Sequence, residues 1–176
     1  MGDDGAMQAA FAPRRSRVLA AAAGLTVVTV YALVALVQIL VWNPEAAVPG
    51  LTAPEVWREV GAANQGPPNG FVVAVIAAGP ALGLVFLLMF ALTDSDVWSV
   101  VSAYLALLLL GIAGYFVASF GPGMGLADTY GISGGDYAYG GAALGVVSLL
   151  AMLGLLAIFV GGVIRGRRAK RAPAVA

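Results

Sequence analysis

The sequence predicts an all-α integral membrane protein, a four-helix bundle whose helices run up-down-up-down. Three observations lead there. Hydrophobic residues make up 61% of the 176 and charged residues 10%, where a soluble domain has about 45–50% and about 25%. Apart from Asp128 and Asp136, the charges cluster at residues 3 to 17, 45 to 59, 94 to 96 and 165 to 171. Four apolar stretches free of Asp, Glu, Lys and Arg separate them, each 22 to 24 residues long. At about 1.5 Å rise per residue each reaches beyond a ~30 Å hydrocarbon core.

Residues 1 to 17 form a small, polar, then basic segment without apolar periodicity, expected to be a cytoplasmic tail. The first span covers 18 to 41. Arg14, Arg15 and Arg17 before it resemble the basic region of a signal peptide, but its apolar run exceeds the usual ~7–15 residues and ends in Trp42-Asn43-Pro44 rather than at a small-residue cleavage site. It reads as an uncleaved anchor. Gly24, Val28, Tyr31, Ala35 and Gln38 share one face of this helix, which is therefore expected to look into the bundle.

The first connection, residues 43 to 70, contains Thr52-Ala53-Pro54-Glu55, the pattern of a capping box. After it, Ala53, Val56, Trp57, Val60 and Ala63 fall on one helical arc, with Glu55, Arg58 and Glu59 opposite. This spacing predicts a short amphipathic interfacial helix with Trp57 in the headgroup layer. The same surface is a candidate docking site for an extracytoplasmic partner.

The second span covers 71 to 92, with Gly79-Pro80 predicting a kink. The third covers 97 to 119. Between them lie only Thr93-Asp94-Ser95-Asp96, too few residues for anything but an antiparallel hairpin, with the acids placed to cap the next helix. Residues 120 to 140 are rich in Gly, with Tyr130, Tyr137 and Tyr139 among them. They read as a flexible aqueous loop. The fourth span covers 141 to 164. Gly141, Gly145 and Ser148 make one small face on it, and Gly154, Ala157 and Gly161 another. Small faces let helix backbones approach closely, so both are expected packing surfaces. Residues 165 to 176 form a basic cytoplasmic tail that stops transfer and meets anionic lipid.

Eight of the nine basic residues fall on one side of a four-span chain and only Arg58 on the other. The positive-inside rule then puts both termini in the cytoplasm, in a cell inner (plasma) membrane. The preponderance of Arg over Lys, with abundant Ala, Gly and Val, suggests a bacterial source.

The exclusions are as informative. There is no Cys and no His, which removes disulfides, thiolate and imidazole metal sites and His-ligated haem. The spans carry no ionisable Asp, Glu, Lys or Arg of the kind that marks proton pumps, acidic-ring channels and voltage sensors. Outside the spans, Glu55, Glu59, Asp128, Asp136 and the tyrosines show no base-nucleophile pairing, and no acidic loop has calcium-site spacing. No catalytic, cofactor or metal residue is therefore assigned, and no nucleic-acid partner, since a folded module and interleaved aromatics are missing. The expected partners are the lipid bilayer and a membrane protein, or a second copy met through the small helix faces. The expected function is that of a non-catalytic accessory or interaction subunit of a larger membrane complex. A small solute or lipid carrier acting as an oligomer is the alternative.

Overall fold

In a computed structural model the backbone is described over residues 14 to 171 and side chains over 14 to 167. The described residues are helix and loop, with no strand among them. Helix α1 (Arg14–Val37) passes through a π-helical turn, Gln38–Trp42, into α2 (Asn43–Ala47). Then come α3 (Ala53–Ala62), α4 (Gly70–Leu92), α5 (Val97–Tyr130) and α6 (Gly140–Arg171). Four of these segments, α1 continued through α2, and α4, α5 and α6, are long and apolar enough to cross a membrane.

Helices α1, α4 and α5 pack against one another, while α6 lies on α5 and touches α1 more lightly. The face of α1 marked by the sequence is the face that turns inward. Val28, Tyr31, Ala35 and Gln38 are buried on it, and a Cβ on Gly24 would collide with the Tyr104 ring of α5. Tyr104 then donates to the Gly83 carbonyl of α4 at 2.7 Å. Gly24 thus allows the close approach that lets one tyrosine join three helices.

The four-residue turn between α4 and α5 is capped as its acids suggest. Asp96 accepts from the backbone N–H of Trp98 (2.8 Å) and Ser99 (3.1 Å), and from the Ser99 hydroxyl (2.6 Å). Those bonds hold its carboxyl below the ordinary carboxylate range, the Ser99 hydroxyl contributing most. Arg17 of α1 reaches the same turn, 3.0 Å from Asp94, and Arg14 donates to the Ala91 carbonyl. The Arg165 guanidinium of α6 lies 5.7 Å from the centre of the Trp98 ring.

Two helices run beyond the span ends read from the sequence. The third span, expected to end near Ser119, belongs to a helix that continues to Tyr130, so most of the loop expected over 120 to 140 is helical. The many glycines suggested an aqueous loop, but Pro122, Gly123, Gly125 and Leu126 are buried against the rest of the molecule. Tertiary packing outweighs the low helix propensity of those residues. The helix stops where Gly131 adopts a left-handed φ of 66°. The basic segment after residue 164 likewise begins as a continuation of α6, to Arg171. Residues 1 to 13, the larger part of the N-terminal tail, lie outside the described residues, as do 172 to 176.

Candidate functional site

The most heavily bonded part of the molecule is the end that carries the 48–52, 63–69 and 131–139 connections. It begins with Pro44. Proline has no N–H and its ring crowds the carbonyl four residues back, here that of Leu40, which lies inside the π turn. The Trp57 indole N–H donates to that same Leu40 carbonyl at 2.8 Å. A bond that the helix cannot make for itself is supplied from α3.

The amphipathic helix forms where its pattern predicts. The Glu55 carboxylate accepts from the Thr52 N–H (2.8 Å) and Thr52 hydroxyl (2.7 Å), and these bonds, hydroxyl first, lower its pKa. Ala53, Val56 and Val60 are buried. Val56 and Val60 pack against Leu126 on the extended part of α5, the region read from sequence as loop. Tyr130, at the end of α5, donates to Glu59 at 2.9 Å.

A second group of polar bonds lies between α1, α5 and α6. The 131–139 connection folds back over the bundle and is tied in three places: Tyr115 donates to Asp136 at 2.7 Å, Gln38 Nε2 to the Ala138 carbonyl at 3.1 Å, and the Tyr137 N–H to Asn43 Oδ1 at 2.7 Å. Gln38 is fully buried, and its Oε1 has no hydrogen-bond partner. Gly140 and Gly141 leave room for these side chains, since a Cβ on the first would push Gln38 aside and on the second Asp136. Deeper in the bundle Tyr31 shares a hydrogen bond with Ser148 at 3.2 Å, and Ser148 donates to the Leu108 carbonyl at 2.7 Å. Polar groups from three helices therefore satisfy one another in the interior.

Beside this network, and separated from it by the Tyr31 ring, runs an apolar groove of about 170 Å³ among α1, α4 and α5. Gly79, Pro80, Gly111 and Gly114 contribute to its walls. Pro80 sits within a continuous α4.

The acids weighed as chemistry-bearing are dispersed by the fold. Glu55 belongs to a helix cap, Glu59 to a tyrosine bond, Asp128 is exposed, and Asp136 fastens a loop. Among the described residues no three metal-ligating side chains come together. Sequence reasoning placed Tyr31 and Gln38 on the inward face but missed Asn43, Tyr115 and Asp136 as their neighbours. Only Gly140-Gly141 hinted at a close approach there.

These features define the class: a helical protein with four apolar helices suited to a multi-pass place in a membrane. Set against protein-family models, curated proteins and solved structures, the chain matches none of them.

Proposed function

We propose that this chain is a non-catalytic interaction subunit of a larger membrane complex, embedded multi-pass in a plasma membrane with both termini cytoplasmic. The observation that carries this reading is the incomplete packing of the small residues of α6. Gly145 and Gly154 face Ile112 and Leu105 of α5, whereas among the described residues the side chain near Gly161 is that of Arg165 on its own helix, and Ala157 is exposed. In lipid, where burying apolar surface gives little drive, small residues are the surfaces on which helices associate. Of the small face shared by Gly154, Ala157 and Gly161, Gly154 meets α5, and the Ala157–Gly161 part is left for another subunit or a second copy. The eight-to-one distribution of basic residues supports the orientation. The meeting of Arg17 with Asp94 and of Trp98 with Arg165 supports the up-down-up-down course. In that frame α3 lies at the outer membrane surface, with its polar arc free to meet an extracytoplasmic partner.

The carrier alternative is the weaker reading because Tyr31, Ser148 and Tyr104 spend their hydroxyls on partners inside the bundle. Affinity purification in mild detergent, with identification of co-purifying proteins and measurement of oligomer size, tests the proposal. A stoichiometric partner or a defined oligomer, lost in Gly161→Leu and kept in a variant on the lipid-facing side of α4 such as Leu84→Ala, is expected. A monomer that co-purifies with nothing would overturn it. For orientation, a cysteine at Asn64 or Ser133 should react with an impermeant thiol reagent in intact cells, and one at Ala172 should not; the reverse pattern would invert the topology.

A further inference from the structure

The geometry points to the groove among α1, α4 and α5 as a binding site for a single acyl chain of a membrane lipid. Its occupant can be identified from where it opens and how large it is. Leu82 and Leu110 border it and are 48% and 64% exposed, on helices apolar enough to cross a membrane. Whatever enters must therefore come from the hydrocarbon layer.

The lining is mostly apolar. Tyr31 presents its ring to the groove and to Gly111, while its hydroxyl is engaged by Ser148 of α6. The floor is formed by Val28, Ala35, Ile76 and Leu108, each no more than 8% exposed. Size excludes the other membrane occupant. One turn of a helix with its side chains, about 10–12 Å across and about 5.4 Å long, fills about 400–600 Å³, more than the space of about 170 Å³, which takes a length of alkyl chain. Glycine keeps the space open at Gly114, where a Cβ would meet nothing within 4 Å. The site is independent of the α6 face and does not require that face to bind anything.

The test uses the full chain reconstituted in phosphatidylcholine vesicles that contain a phosphatidylcholine with a diazirine midway along one acyl chain. After irradiation, adducts are mapped by peptide mass spectrometry. Adducts are expected on the floor residues Val28, Ile76 and Leu108 as well as on the rim. Lipid that merely surrounds the protein would reach only the rim and residues such as Leu150 and Phe159 on α6. Gly114→Phe should abolish floor labelling several-fold more strongly than it changes labelling of Phe159, which serves as the control for folding and insertion. Ala78→Phe fills the same groove from α4 and should act alike. Wild-type adducts confined to rim and α6 would overturn the assignment, and so would a cross-linked second chain at Leu82 or Leu110.

Discussion

Helices α1 and α6 are both long and apolar enough to cross a membrane, yet 33% of the most apolar window of α1 is buried and only 17% of that of α6. Each also carries small residues along its length. On α1 those residues meet partners on other helices, as Gly24 meets Tyr104 and Ala35 is fully enclosed. On α6 the small residues divide. Gly141, Gly145, Ser148 and Gly154 are used within the bundle, and Ala157 and Gly161 meet no other helix among the described residues. Hydropathy thus selects spans without ranking them. Position in the bundle follows from which polar and small residues find counterparts.

The largest effect that would sharpen this comparison is expected from Gly24→Leu. Overfilling a packed core costs about 1–3 kcal/mol and sometimes more, and here the added side chain meets an aromatic ring that is itself bonded to a third helix. Thermal unfolding in detergent should show a large loss. Gly145→Leu should cost less, because Ile112 is 3.9 Å from the built Cβ. Gly161→Leu should leave protomer stability at the wild-type value. Equal melting temperatures for all three would erase the distinction between the two helices.

Trp57→Phe keeps an aromatic ring but removes the N–H that serves the part-buried Leu40 carbonyl, and the net worth of such a bond is about 0.5–1.5 kcal/mol. Hydrogen exchange should rise in the π turn and in α3 while α6 is unaffected. If exchange rose only at α3, the bond would not be stabilising the turn.

Tyr115→Phe should release the 131–139 connection without unfolding the bundle. Hydrogen bonds to charged groups contribute about 1.5–3 kcal/mol, and the loss is local because Gln38 and Asn43 still hold the strap. Faster proteolysis within 131 to 139 is the expected readout; unchanged protection would show that the other two ties suffice.

The smallest effect belongs to Asp96→Ala, about 1 kcal/mol for an exposed N-cap. Its pH dependence fixes the mechanism. The carboxyl is depressed in the folded protein, so its stabilisation is present above the unfolded value of about 3.9 and is lost as pH falls through the lower folded value. The difference in stability between wild type and Asp96→Ala should therefore vanish in acid and be constant at neutral pH.

How much could be read in advance varies with the range of the cause. The capping box at Thr52 and Glu55, the Asp96 cap and the inward face of α1 are local patterns, and each formed as its spacing implied. The extension of α5 to Tyr130 was not legible, because a run with Gly121, Pro122, Gly123 and Gly125 has poor intrinsic helicity. Its helix depends on α3, whose Val56 and Val60 pack against Leu126. The same distance in sequence hid the pairing of Tyr115 with Asp136 and of Trp57 with Leu40.

By itself, then, the sequence determined the number of apolar spans, their lengths and the character of their ends, since these depend on residue composition measured against a fixed hydrocarbon thickness. The tertiary structure alone decided which span is central, which carbonyl freed by Pro44 is served by Trp57, and where an apolar groove is left open. Those outcomes depend on side chains far apart in the chain meeting in space, and a hydropathy pattern holds no information about such meetings.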